Sequence, residues 1–314
     1  MVPEKENPLI DDCLAAESKQ GADDASGLPT RLDRYSKAHQ RALKMSNYAA
    51  DQGEVKLSRK LETCGSYLLF RHYYTVEKMR LHAAQFCNKH LLCPLCAIRR
   101  GAKQVRAYLT RLQVILATDP GLSLSLVTLT VKDGEDLAER FTHLAQSFRR
   151  YQHARRAYLQ GRGPYVELAA IAGAVGSYEF KRGKNSGEWH PHLHMVALHR
   201  GQLDRKALSS DWLKYTADSF IVDVTPFDDE EGPVNGFLEV FKYALKFSDL
   251  PLADNWQGFK TLSKQRLVFS FGLFWGIDVP DELTDEGLDD LPFVEMLFRY
   301  VTGSGYSYVV RGKK

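Results

Sequence analysis

Apolar and polar residues alternate from Leu124 to Val131, and the run is rich in β-branched side chains, which predicts a half-buried strand over 123–131. A second apolar stretch, Ile171 to Phe180, contains glycine and ends in Tyr178-Glu179-Phe180. A basic turn, Lys181 to Gly187, separates it from His190-Pro191-His192-Leu193-His194, which runs on into Met195-Val196-Ala197-Leu198. Two strands joined in this way form a hairpin of antiparallel neighbours. Successive strand side chains face opposite ways, so His190, His192 and His194 share one face, and Pro191 and Leu193 point to a core on the other. Helical spacing marks Arg31 to Ala50, Asp136 to Gly161, Leu203 to Tyr215 and Val234 to Phe247, and an apolar helix is expected around Phe293 to Tyr300. Shorter strands are predicted at Phe220–Val224 and Tyr306–Val310. Residues 1–30, rich in Asp, Glu, Ser, Gly and Pro without periodicity, read as a disordered tail.

Composition narrows the class without naming it. A chain of 314 residues with 44% hydrophobic and 11% aromatic content can bury a sizeable core, as one large domain with appendages or as two domains. The net charge is only +3, so local clusters carry the electrostatic information. No apolar run is long enough for a membrane span, and the polar N-terminus lacks a secretory pattern, so a cytoplasmic protein is expected. Three of the five cysteines, Cys87, Cys93 and Cys96, fall within ten residues, which suits a metal site in a reducing compartment. With Cys64 they make a closed tetrahedral set for structural Zn²⁺, with His82 or His90 as possible replacements for one thiolate. The knuckle leads into Arg99, Arg100, Lys103 and Arg106 at helical spacing, a basic face suited to DNA phosphates or simply to solvent. A second basic cluster comprises Arg149, Arg150, Arg155, Arg156 and Arg162.

Two stretches carry candidate chemistry. Alternating imidazoles on an apolar strand call for a metal or an acidic partner. If Glu179 pairs near His192 across the hairpin, its carboxylate joins their face, whereas a slip of one residue puts it on the other. On a helical wheel drawn from Phe237 to Phe247, Phe237, Val240, Phe241, Ala244 and Phe247 form the apolar stripe. Glu239, Lys242, Tyr243 and Lys246 fall opposite, which places Tyr243 off the core. A tyrosine beside a metal can attack a phosphodiester and conserve its energy as a 5′-phosphotyrosyl ester. Lysines beside the phenol ease phenolate formation, and Glu239 can serve as a general base in a second step.

These motifs resemble the HUH endonuclease superfamily, and within it the one-tyrosine Rep initiators of small rolling-circle plasmids. Val127-Thr128-Leu129-Thr130 is similar to their first motif, Glu179 with His190-Pro191-His192-Leu193-His194 to their second, and Glu239-x-x-Lys242-Tyr243-x-x-Lys246-x-x-Asp249 to their third. The cysteine cluster followed by Arg99-Arg100 is similar to their N-terminal one, and the match covers roughly residues 60 to 250. The resemblance implies an α+β fold, a central antiparallel sheet with flanking helices, preceded by a Cys-rich zinc module. It implies Tyr243 as nucleophile, His192 and His194 as ligands of Mg²⁺ or Mn²⁺, and Glu239 as base in the closing step. Glu179 is favoured as third ligand, with His190 next. The implied partners are the plasmid double-strand origin, its single-stranded nick site and a host helicase, since no Walker A motif is present. The expected division is a tail over 1–30, basic helices and zinc module over 31–118, nuclease domain over 119–250 and an extension over 251–314. Competing readings are a zinc-knuckle DNA-binding regulator without catalysis, and a transposase or relaxase of the same superfamily.

Overall fold

The computed structural model describes residues 24–227, 232–276, 288 and 291–309. The chain divides into two compact units, each with its own antiparallel sheet. One comprises Met1–Lys103, Ser248–Trp256 and Pro280–Lys314, and the other Gln104–Phe247 and Gln257–Val279.

In the first unit, Tyr35, Ala38, Ala42, Met45 and Ala49 recur on one side of α1 (Leu28–Asp51) and are buried, which is the amphipathic pattern that fixes a surface helix. α2 (Val55–Glu62) folds back against it. β1 (Tyr67–Tyr73) and β2 (Lys78–Ala84) form a hairpin, and β8 (Val294–Val301) and β9 (Gly305–Tyr308) complete a sheet of order β2-β1-β8-β9. Of the tail expected over 1–30, residues 1–23 lie outside the described residues. Asp24 caps a 3₁₀ turn at Ala25–Gly27, and α1 starts at Leu28, earlier than Arg31. The stretch Phe293 to Tyr300 is strand β8 rather than the expected helix. A short apolar run reads alike as buried helix or strand. Pairing with β1, from Tyr67↔Arg299 to His72↔Val294, settles it, because the backbone groups of both strands are satisfied together.

The second unit is built on a five-stranded sheet of order β6-β3-β5-β4-β7. Its strands are β3 (Ser123–Thr130), β4 (Ile171–Arg182), β5 (Trp189–His199), β6 (Val222–Pro226) and β7 (Val268–Gly272). One face carries Val175, Val196 and Leu198, packed with Tyr108, Leu112 and Ile115 of α3 (Pro94–Thr118) and with Phe237, Val240 and Phe241 of α6 (Gly232–Phe241). The opposite face carries Tyr178, against which Phe141 and Phe148 of α4 (Leu137–Leu159) pack at ring distances of 5.6 and 6.5 Å. Asp136 caps α4 by accepting from the Ala138 and Glu139 amides, and Asp204 caps α5 (Arg205–Thr216) in the same way. The expected extension over 251–314 is therefore shared out: β7 forms an edge of this sheet, and β8 and β9 belong to the other. The acidic stretches Asp228–Glu231 and, apart from Leu288, Asp278–Asp290 lie outside the described residues, as does Val310.

Sequence reading missed the β1–β2 hairpin, α2, α8 (Leu252–Leu262) and β7. The single helix expected over 234–247 is two, separated by a turn at Lys242 into α6 and α7 (Tyr243–Asp249).

Gly176 sits where β4 is flanked by β5 and β7. A Cβ there would lie 2.5 Å from the His194 carbonyl oxygen and 2.5 Å from Cζ of Phe269. Backbone cannot yield as a flexible side chain would, so Gly176→Ala should lower stability by about 1–3 kcal/mol, read as a fall in the chemical-denaturation midpoint.

Candidate active site and metal centres

The β4–β5 register is the one the hairpin chemistry requires. Glu179 lies directly across from His192, and Ser177 from His194. Opposed residues share a face, so Glu179, His192 and His194 point together, on the side of Val175 and Val196. His192 Nε2 is 3.1 Å from Glu179 Oε1, and His194 Nε2 is 3.7 Å from Glu179 Oε2. Thr128, opposite His194 on β3, contacts its Nδ1 through Oγ1 at 2.8 Å, which leaves Nε2 turned toward the carboxylate. His190 goes elsewhere: its Nδ1 is 2.5 Å from Asp133 Oδ1, and it is not in the Glu179–His192–His194 group.

α6 and α7 bring the second carboxylate and the lysines. Glu239 Oε1 is 3.7 Å from His194 Nε2. Lys246 Nζ donates to both oxygens of Glu179 at 2.7 Å and to Glu239 at 2.8 Å, and Lys242 pairs with Glu239 at 2.5 Å. Tyr243 opens α7, one turn before Lys246. It is 2% exposed, which corrects its expected place off the core. The wheel assumed an unbroken helix. The chain tightens at Lys242, whose carbonyl accepts from both the Leu245 and Lys246 amides, yet the stripe keeps its phase, since Ala244 and Phe247 are buried as the wheel expects; Tyr243 is covered by tertiary packing that a wheel does not represent. Ser177 Oγ, donating to the Val240 carbonyl at 2.6 Å, ties the end of α6 to β4.

Glu179 is 1% exposed, and burial alone would raise its pKa. The His192 hydrogen bond and the charges of His192, Lys246 and His194 outweigh burial and hold the carboxyl well below its usual range. Burial pushes His194 down to about 4, so its ring is neutral near pH 7 and has a lone pair to give. Glu239 is likewise held low against burial, by Lys246 and Lys242.

The ligand atoms of Glu179, His192 and His194 all lie within 4.8 Å of one another. Neighbouring ligands around a small octahedral cation at about 2.1 Å are about 3 Å apart, so small adjustments suffice. His192 Nδ1 is buried without a hydrogen-bond partner, so the hydrogen-bonding capacity of this ring is directed through Nε2 into the cluster. Cys64, Cys87, Cys93 and Cys96 form a second group, all four buried. Sulfur separations of 3.5 Å for Cys64–Cys93 and 3.6 Å for Cys64–Cys96 and Cys87–Cys96 are too long for disulfides. They approach the roughly 3.8 Å edge of a tetrahedral thiolate site with bonds of about 2.3 Å. Hydrogen bonds from Cys64, Cys87 and Cys93 push the Cys96 thiol down, so thiolate character is already favoured there. His90 and His82 are not in the group.

The four basic residues expected to contact DNA divide. Arg100 is exposed, whereas Arg99, Lys103 and Arg106 are half-buried, Arg99 over the Phe86 ring at 3.6 Å. Thr128, Asp133 and the bridging role of Lys246 were not assigned from sequence. A threonine on an alternating strand has no signal until register is known.

Residues 78–291, more than two thirds of the chain, match the family model described as "Replication protein". The chain is similar to "Protein rep" of Streptococcus pneumoniae serotype 2, at 27% identity over 65% of this chain and 65% of that protein. It is similar to "Protein rep" of Lactiplantibacillus plantarum, at 24% identity over 55% and 53%, and of Staphylococcus aureus, at 25% over 60% and 82%. The chain thus spans less than two thirds of the first two relatives. No solved structure matches it. No helix among the described residues is long and apolar enough to cross a membrane.

Two measurements check this geometry. Elemental analysis should find an ion held by the four cysteines, and Cys93→Ser should release it and lower stability by several kcal/mol. Thr128→Val should weaken binding of Mn²⁺, used as a spectroscopic probe, by about ten- to a hundredfold, with Thr128→Ser near wild type.

Proposed function

Because the chain belongs to the Replication protein family, we propose that it initiates rolling-circle replication of a plasmid, nicking and rejoining one strand at the double-strand origin. The observation that carries this reading is the buried Glu179–His192–His194 group, whose carboxylate is bound by Lys246 from the helix that Tyr243 opens. A replication protein without catalysis has no use for two imidazoles and two carboxylates drawn together and balanced by two lysines.

Mg²⁺ or Mn²⁺ at the Glu179–His192–His194 group, when bound, polarises the scissile phosphate as a Lewis acid. The chain's own residues do the rest. Tyr243 Oη attacks phosphorus; the Oη–P bond forms as the P–O3′ bond breaks. The phenol proton passes through solvent to the departing 3′ oxygen. One phosphodiester is exchanged for another, a 5′-phosphotyrosyl ester, so rejoining needs no nucleotide cofactor. Lys242 and Lys246 stabilise negative charge on the phenol and on the phosphate. In the closing step Glu239 takes the proton of a water or a returning 3′-hydroxyl. Tyr243 is 2% exposed, so its phenol has to be uncovered when the strand enters. Zn²⁺ at the four cysteines has a structural role, since a closed thiolate set leaves no position for substrate. The sequence lacks a Walker A motif, so a host helicase is the implied cytoplasmic partner.

With Mn²⁺ and a labelled origin oligonucleotide, a denaturing gel should show protein attached to the 5′ end. Tyr243→Phe should bind DNA as before and form no adduct; an adduct of undiminished yield removes Tyr243 as nucleophile. Glu239→Ala should make the first nick at a rate within about tenfold of wild type, while turnover falls by about 10²–10⁴. Unchanged turnover removes Glu239 from the closing step.

A further inference from the structure

Between Glu139 and Glu167 the sequence contains no acidic residue, while six arginines occur from Arg140 to Arg162. The structure divides the later ones by role. Arg150 donates to the Tyr215 carbonyl at 2.7 Å, and Arg155 is buried, donating to the Ile171 carbonyl at 2.8 Å with its guanidinium 4.6 Å from the Phe271 ring centre. These two anchor α4. Arg149, His153 and Arg156 face solvent at helical spacing i, i+4, i+7, followed by Arg162 just beyond the helix. None of these four side chains pairs with a carboxylate among the described residues; the Arg162 guanidinium donates to the Gln160 side chain.

Carboxylates on the elements packed against α4 are turned inward. Asp211 accepts from Tyr151 Oη at 2.9 Å and from the Glu167 amide at 2.8 Å. Glu167 accepts from Tyr165 Oη and from the Asp204 amide, both at 2.9 Å, and Asp218 faces His143 at 3.2 Å. The exposed surface is left cationic. Part of it is a hollow of about 400 Å³ lined by His153, Arg156, Ala157, Gln160 and Arg162, side chains that offer cations and amide donors.

α4 packs on the sheet face that carries Tyr178, and the Glu179–His192–His194 group is on the other. The cationic stripe therefore cannot hold the strand being cut at the same moment and place as Tyr243. We propose that the outward side of α4, through Arg149, His153, Arg156 and Arg162, is a second DNA-binding surface that grips the phosphodiester backbone of duplex away from the nick. This rests on the reading of the chain as a DNA-nicking initiator. Arg149 and Arg156 are about 10 Å apart along the helix, enough to engage separate phosphates. Their contacts are to backbone charge, so the surface supplies affinity and position, not sequence readout.

The test is binding of full-length protein to a fluorescent duplex of arbitrary sequence, titrated at several salt concentrations, beside cleavage of a short single-stranded nick-site oligonucleotide with Mn²⁺. Each lost phosphate contact lowers the salt slope by about 0.9, so Arg149→Ala/Arg156→Ala/Arg162→Ala should reduce it by about 2–3. Single-strand cleavage should be unchanged. The matching triple lysine variant, which keeps charge, should retain most of the slope, separating charge from folding. A slope equal to wild type in the alanine variant overturns the proposal, as does an equal loss of single-strand cleavage. If wild type binds duplex with the predicted slope change yet never forms an adduct, the surface stands and the initiator reading fails.

Discussion

A carboxylate almost sealed inside a protein has to be neutralised where it stands, because water is not there to do it. Glu179 is such a group, and the second unit's chemistry is arranged around its neutralisation. Its two oxygens are shared among His192, His194 and Lys246, which come from β5 and α7. The carboxylate thus ties strand to helix, alongside the hydrogen bond from Ser177 to the Val240 carbonyl. That relation depends in turn on hairpin register. A one-residue slip would carry Glu179 to the face of Tyr178 and Phe141 and leave an unpaired charge among aromatic rings. The penalty for that arrangement selects the register, and the register gathers the ligands.

The charge balance of the site explains its readiness for a phosphate. Two carboxylates, Glu179 and Glu239, face two ammonium groups, Lys242 and Lys246, while burial keeps His194 neutral. Under the proposed reading, a divalent cation and a phosphodiester add opposite charge to a centre already balanced. Were a cation held by Glu179, His192 and His194, Lys246 would no longer be needed to neutralise Glu179, and its ammonium could serve the phosphate or the phenolate. Thr128 matters because it settles which nitrogen of His194 faces inward before any ligand arrives, so that reorganisation is small.

Strand alternation, the hairpin, the histidine face and the crowded cysteines were legible in the chain because each depends on local period or spacing. Glu179 was legible conditionally: its type and position were visible, but only pairing could choose its face. Tyr243 was misplaced because a wheel gives phase within one helix and says nothing of what packs over its other side. β8 was misread for the same reason. A largely apolar stretch of eight residues is compatible with either element until its partner, β1, is known, and that partner lies more than two hundred residues earlier.

The two faces of the second sheet respond to the solvent in different ways, and this separates cutting from holding. The Glu179 centre is buried, so mobile ions screen it little, and under the proposed reading its occupancy would depend on divalent cation. The arginines on α4 are exposed, and at physiological ionic strength their fields fade within about 8 Å. Under the proposal above they would act only on DNA that has already come close, and would release it as salt rises. A strand could therefore be cleaved and resealed on one face while the surrounding duplex is held reversibly on the other. A single mixed site would couple the two, because any change in salt that loosened the duplex would also loosen the scissile strand. Separation by the thickness of one sheet removes that coupling without requiring a further domain.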